Sequence, residues 1–167
     1  IPNIAKGWEF SEDGKTFTLY FRKGMKWSDG APFTADDILF YWEAVMLNDE
    51  ITPAKPKQYM PGGELMTVEK VDDYAVTFHF SQPYWNIIGW ICGAQFAGRQ
   101  NTIFLPKHAL TKYHIDYNPE ADALAQEAGY DYWWQLFNAK RDFLLGRQLN
   151  HEGIPTLGPW MAREVLA

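Results

Sequence analysis

Apolar and polar positions alternate most sharply at the start of the chain. Trp8 and Phe10 are set among polar neighbours and Asp13-Gly14 follows; Phe17, Leu19 and Phe21 then alternate with Thr16, Thr18, Tyr20 and Arg22. A two-residue period rich in aromatic and β-branched side chains around Asp-Gly predicts a β-hairpin. The stretch from Lys23 to Pro32 is irregular, with turn chemistry at Asp29-Gly30. From Phe33 the period becomes helical: Ile38, Tyr41, Trp42, Val45 and Met46 share one face at i, i+3, i+4, i+7 and i+8. Thr34 is the expected N-cap, and Asp36 and Asp37 fall where the positive end of the helix dipole favours them. Leu39, Phe40 and Leu47 make the helix apolar nearly all round, which predicts burial, and it should end near Asn48.

Between Asp49 and Gly63 the pattern dissolves into three prolines, two glycines and scattered lysines. A loop of about 15 residues is long enough to point to function or disorder. A second hairpin is predicted from Leu65 to Val71, a turn at Asp72-Asp73, and Val76, Phe78 and Phe80 alternating with polar residues. Tyr84 to Trp90 reads as a short apolar helix, and Leu105 to Leu110 as a helix with Pro106 in its first turn. Pro119 to Ala128 has helical composition, Asp131 to Phe137 holds Trp133-Trp134, and Arg141 to Leu149 predicts one more helix. A turn at Thr156 to Trp160 and a strand through Val165 close the chain. No repeat at a solenoid period is present. The fold class is therefore α+β, β-hairpins packed with helices, in a single domain spanning residues 1–167.

Composition narrows the classes. Of 167 residues, 47% are apolar and 17% aromatic, enough buried surface to offset the entropy of ordering. The longest apolar run, Tyr84 to Ala97, contains Asn86 and is broken by Gly89 and Gly93, so no membrane-spanning stretch exists. The net charge is −6 with the charges scattered, which argues against a nucleic-acid partner. The single cysteine, Cys92, excludes an internal disulfide and reads as a buried, inert thiol. The chain begins Ile1-Pro2-Asn3-Ile4 without an initiator Met or leader, so either a leader was removed or this is a piece of a longer protein.

Catalytic signatures are absent: no Gly-rich phosphate cradle, no G-x-S-x-G and no H-E-x-x-H. The four histidines, His79, His108, His114 and His151, lie too far apart in sequence for a local metal motif, so neither metal nor cofactor is expected. Asp36 and Asp37 diverge by about 100° on a helix, which favours capping over a shared catalytic proton, and Asp29 is accounted for by its turn. Eight tryptophans are more than a core needs. Most of Trp8, Trp27, Trp42 and Trp90 fit core-facing positions, whereas Trp133 and Trp134 cannot both face inward, leaving one for a surface. Arg99, in the polar patch Gly98 to Asn101, is either a solvated loop residue or a donor fork for a ligand.

The strings themselves resemble a known family. Ile4-Ala5-Lys6-Gly7-Trp8-Glu9 with Ser11-Glu12-Asp13-Gly14-Lys15-Thr16-Phe17-Thr18 resembles the opening of the family 5 extracellular solute-binding proteins. The run from Phe21 through Lys26-Trp27-Ser28-Asp29-Gly30 and Pro32-Phe33-Thr34-Ala35-Asp36-Asp37 to Ile38 resembles that family's most recognisable stretch. Val68 to Phe78 is similar to its hairpin, Leu105-Pro106-Lys107-His108 to its Pro-Lys-His motif, and Gly158-Pro159-Trp160 to its Gly-Pro motif. Asp116 to Glu152 departs from the family in being longer and more aromatic.

The resemblance implies the substrate-binding component of a bacterial ABC importer, periplasmic or a cell-surface lipoprotein, with no catalysis. Full chains of the family form two lobes and are far longer, so this one is expected to be a fragment of the N-terminal lobe. The motif residues build the fold; Gln58 and Tyr59 in the loop before the second hairpin, with Arg99 and Gln100, are where the resemblance brings this part to the ligand cleft. It implies a monomer whose partners are a small-molecule or peptide ligand, an oligopeptide or similar solute, and a membrane permease. Two rival classes remain open, a carbohydrate-active enzyme domain and a non-catalytic protein-interaction module that docks through exposed aromatics.

Overall fold

A computed structural model of the chain describes residues 4–93, 103–142 and 154–157. The first hairpin consists of β1 (Ala5–Phe10) and β2 (Thr16–Phe21), the second of β3 (Thr67–Asp72) and β4 (Ala75–His79). They join side by side into an antiparallel sheet of order β1-β2-β4-β3. Phe17, Leu19 and Phe21 of β2 are buried, opposite Phe78, Val76 and Tyr74 of the second hairpin. That is the face which the two-residue period assigns to the core. Between the hairpins, α1 (Ala35–Phe40) continues as a π-helical segment, Tyr41–Met46, and packs on the sheet at β3 and β4. The helix is buried nearly all round, as its apolar pattern requires. It does not run on to Asn48 as an ordinary helix. A wide i→i−5 bond from the Leu47 N–H to the Trp42 carbonyl (2.9 Å) closes it, and Leu47 is exposed.

The remaining helices are α2 (Ile87–Gly93), α3 (Lys107–Leu110), α4 (Ala121–Glu127) and α5 (Trp133–Asp142). Pro106 stands at the N-cap of α3 rather than inside its first turn. The helix α5 takes in most of the piece expected from Asp131 to Phe137 and runs on through Arg141 and Asp142; the rest of the helix expected from Arg141 to Leu149 lies outside the described residues. The helices α3 to α5 cover the outer side of α1 through ring contacts of Phe40 with Tyr117 and Phe137. The closing turn and strand past Leu157, and the side chain of Cys92, also lie outside the described residues.

Two tryptophans depart from expectation. Trp27 and Trp42 are core residues, but Trp8 is 46% and Trp90 50% exposed. Trp8 pairs with Leu19 and so faces the core side, yet β1 is the sheet edge. On α2 it is Ile87 that is fully buried, while Trp90 stands half exposed. Of the adjacent pair, Trp133 is buried and Trp134 half-buried, stacked on exposed Tyr132 at 6.0 Å. Among the described residues, no helix is long and apolar enough to cross a membrane.

Candidate functional site

The segment 49–63 is a built structure rather than a slack loop. Asn48 Oδ1 accepts the N–H groups of Glu50 and Ile51, and the Thr52 hydroxyl donates to the Val45 carbonyl at 2.7 Å. Lys55 reaches back to Asp49 Oδ1 and the Thr52 carbonyl, each at 2.8 Å. Two 3-10 turns follow, Lys57–Tyr59 and Pro61–Gly63. The second is pinned to the chain after β4 by Ser81, whose hydroxyl donates to the Pro61 carbonyl at 2.7 Å. Gly62 has φ +76°, and a Cβ there would lie 2.9 Å from Ser81 Oγ, so both backbone angle and space require glycine.

Of the four expected site residues, the structure describes two. Gln58 is half-buried on the first 3-10 turn. Tyr59 is only 4% exposed, and its ring meets Trp42 edge-on at 5.9 Å. Burial pushes its phenol and that of Tyr41 above the usual range, so both stay protonated at any physiological pH. Tyr59 thus ties the segment to the core and places Gln58. Arg99 and Gln100 lie outside the described residues. A cavity of about 10 Å³ beside Tyr59, lined by Ile38, Trp42, Met66 and Phe78 among others, is a packing gap with room for at most one water.

The three aspartates singled out in sequence serve three separate structures. Asp29 closes its turn on the Ala31 N–H and pairs with His108 Nε2 at 2.7 Å. Asp36 meets Lys70 at 3.0 Å, which also holds Asp73. Asp37 is buried and does more than cap. Its carboxylate accepts the Thr34 N–H, the Lys107 N–H and the Trp27 indole at 3.0, 3.0 and 3.1 Å, fastening the irregular stretch, α1 and α3 together. Burial pushes its carboxyl up despite these donors. Beside this knot, Ser28 exchanges two backbone-anchored hydrogen bonds with Thr156. Among the described residues, no cluster of His, Cys, Asp and Glu could hold a metal ion.

Sequence reasoning gave His114 no role. Its ring is fully buried; Nε2–H donates to the Ala44 carbonyl at 2.9 Å while Nδ1 accepts the Asp116 N–H. A lone histidine in a polar-looking stretch carries no signal for this, because its partners come from the π segment some 70 residues earlier.

Comparison with known proteins places this geometry. The model for bacterial extracellular solute-binding proteins, family 5 Middle, matches residues 1–134. The chain is 36% identical over 118 residues to the periplasmic alpha-galactoside-binding protein of Rhizobium meliloti (strain 1021), covering 68% of this chain and 17% of that one. It is 36% identical over 101 residues to the dipeptide-binding protein of Escherichia coli (strain K12), covering 50% and 18%. Among solved structures, an oligopeptide-binding protein OppA superposes with a TM-score of 0.80 at 39% identity, over 96% of this chain and 24% of that one. The periplasmic binding protein MelB of Agrobacterium fabrum C58, in complex with stachyose, gives 0.58 at 33% identity, over 83% and 18%. The chain spans under a fifth of the length of these curated relatives.

Proposed function

Because the chain belongs to the bacterial extracellular solute-binding proteins of family 5, we propose that it is a fragment of the N-terminal lobe of an ABC importer's substrate-binding component. In this reading residues 1–167 form one domain of a two-lobed, monomeric receptor that captures an oligopeptide or similar solute outside the cytoplasm and delivers it to the membrane permease. It catalyses no reaction and binds no nucleic acid; a lipid anchor is one way of holding it at the cell surface. The observation that carries the reading is the superposition on OppA across 96% of the chain. A second solute class, oligosaccharides, is favoured by the alpha-galactoside-binding relative aligned over 68% of it.

Receptors of this kind close two lobes on a ligand by a hinge, so one lobe supplies half of the contacts. We assign Gln58, Arg99 and Gln100 to that half, with Tyr59 as the buried post that positions Gln58. The welded frame of the 49–63 segment supports this, since a preformed contact loses less entropy on binding than a mobile one.

The test is a thermal-shift screen of the intact receptor, freed of co-purified ligand, against peptides, oligosaccharides and nickel chelates in parallel. A ligand at a hundredfold excess over its Kd adds about 2.7 kcal/mol to the folded state. A rise in Tm with one class supports the receptor reading and names its solute; no rise with any class overturns it in favour of a protein-docking module. Arg99→Ala is expected to weaken binding of the class found by about tenfold or more, as loss of a charged hydrogen bond does. Unchanged affinity by calorimetry removes Arg99 from the site.

A further inference from the structure

His114 is the one titratable imidazole sealed inside the described fold, and its surroundings accept only one protonation state. Asp116 donates its N–H to Nδ1 at 3.2 Å, so Nδ1 must carry a lone pair and the proton must sit on Nε2, where it reaches the Ala44 carbonyl. The rings of Phe40, Tyr117, Trp133 and Phe137 enclose it, Trp133 at 4.4 Å between centroids. Trp133 then donates its indole N–H to Glu50 Oε2 at 3.1 Å, in the first turn of the 49–63 segment. The carbonyl next to the one His114 holds, that of Val45, is held in turn by Thr52 of the same segment. The imidazole therefore bears on two of the bonds that fasten that turn, those of Glu50 and Thr52.

We propose that neutral His114 locks the first turn of the 49–63 segment, and that protonating the imidazole releases it. A proton on Nδ1 would oppose the Asp116 N–H head-on, so the ring must leave its seat, and Trp133 with it. The groups facing His114 are few. From its own stretch come the Asp116 carboxylate, 3.7 Å from Nδ1 and largely exposed, and the Tyr117 ring; from the 49–63 segment comes Glu50, and Glu43 of the π segment lies towards Tyr117. On α5 the facing groups are Trp133 and Phe137, while Lys140 sits over Tyr113. The carboxylates favour the charged ring, but burial outweighs them and holds its pKa below 6.5. Resting on the reading that this segment positions Gln58 for the ligand, the lock would make the receptor lose grip as the medium turns acid.

The experiment is amide hydrogen exchange of the intact receptor between pH 7.5 and 5.5, corrected for the intrinsic pH dependence of exchange. Opening coupled to one proton should raise exchange in residues 49–56 by up to about tenfold per pH unit below 6.5. The His114→Gln variant, which keeps an N–H near the Ala44 carbonyl and cannot titrate, should flatten that response. An equal pH response in wild type and variant overturns the lock. If the variant does not fold, the NMR titration of wild-type His114 decides: the Trp133 indole resonance moving with the imidazole supports the lock, and its indifference overturns it. Affinity is read separately. Acid opening without loss of affinity leaves the lock standing and removes the ligand contact from this segment.

Discussion

Gly14 shows how one residue is fixed by two independent demands. Its φ is +68°, and a Cβ built there would meet the Trp85 indole at 2.6 Å. The turn at Asp13-Gly14 was legible in the sequence; the indole on top of it was not, because Trp85 arrives from beyond β4. Gly14→Ala is expected to cost about 2 kcal/mol through the left-handed backbone alone, with a further steric cost. Adding Trp85→Ala should recover only the steric part, which denaturant midpoints of the two single variants and the double variant will separate. Tryptophan follows the pattern at some positions and not at others. Trp27 and Trp42 went where pattern put them, whereas Trp8 stands on the core-facing side of an edge strand and half of it sees solvent. Pattern reports the face of a strand but not whether anything covers it.

At the scale of elements, the capped helix start was read correctly at Thr34 and Asp37, and its period gave the buried positions. What the period could not give was the π winding of Tyr41–Met46, because one wide turn shifts the register without changing composition. Nor could local spacing show that Asp37 also receives Trp27 and Lys107. The difference between adjacent aspartates follows from it. Asp37→Ala leaves one buried and two part-buried donors without their acceptor and should destabilise by about 3 kcal/mol. Asp36→Ala removes only a partly exposed pair with Lys70 and should cost under about 0.5 kcal/mol. Urea unfolding of the two variants checks the contrast; equal losses would mean that Asp37 acts as a first-turn charge and nothing more.

For the whole molecule, the layer of α3 to α5 is attached to the π segment and to the irregular stretch before α1 partly through two histidines, one buried and one near the surface. His108 pairs with Asp29 near the surface, while His114 is buried neutral. For His114 the folded pKa lies below 6.5, so the unfolded chain takes up the proton first and folding stability depends on staying neutral. That contribution is complete above about pH 6.5 and falls as pH drops further, the slope flattening once the folded state also binds the proton. Urea midpoints between pH 8 and 5 should show this loss in wild type and a shallower one in His114→Gln. A midpoint flat from pH 7 to 5 would show that the imidazole titrates alike in both states.

The family motifs, the hairpins, the buried face of α1 and the α+β class were determined by the sequence itself, because each rests on periods and turn chemistry within a few residues. Of the expected site, the chain marked a segment, Gln58-Tyr59, but not its interior order; Tyr59 proved to be a buried post only through its contact with Trp42, 17 positions earlier. The junction of the two hairpins through β2 and β4, the Asp37 knot and the seat of His114 belong to tertiary structure alone. Each joins residues dozens of positions apart, and what selects them is the burial of polar groups that must find partners wherever the packed chain brings one within reach.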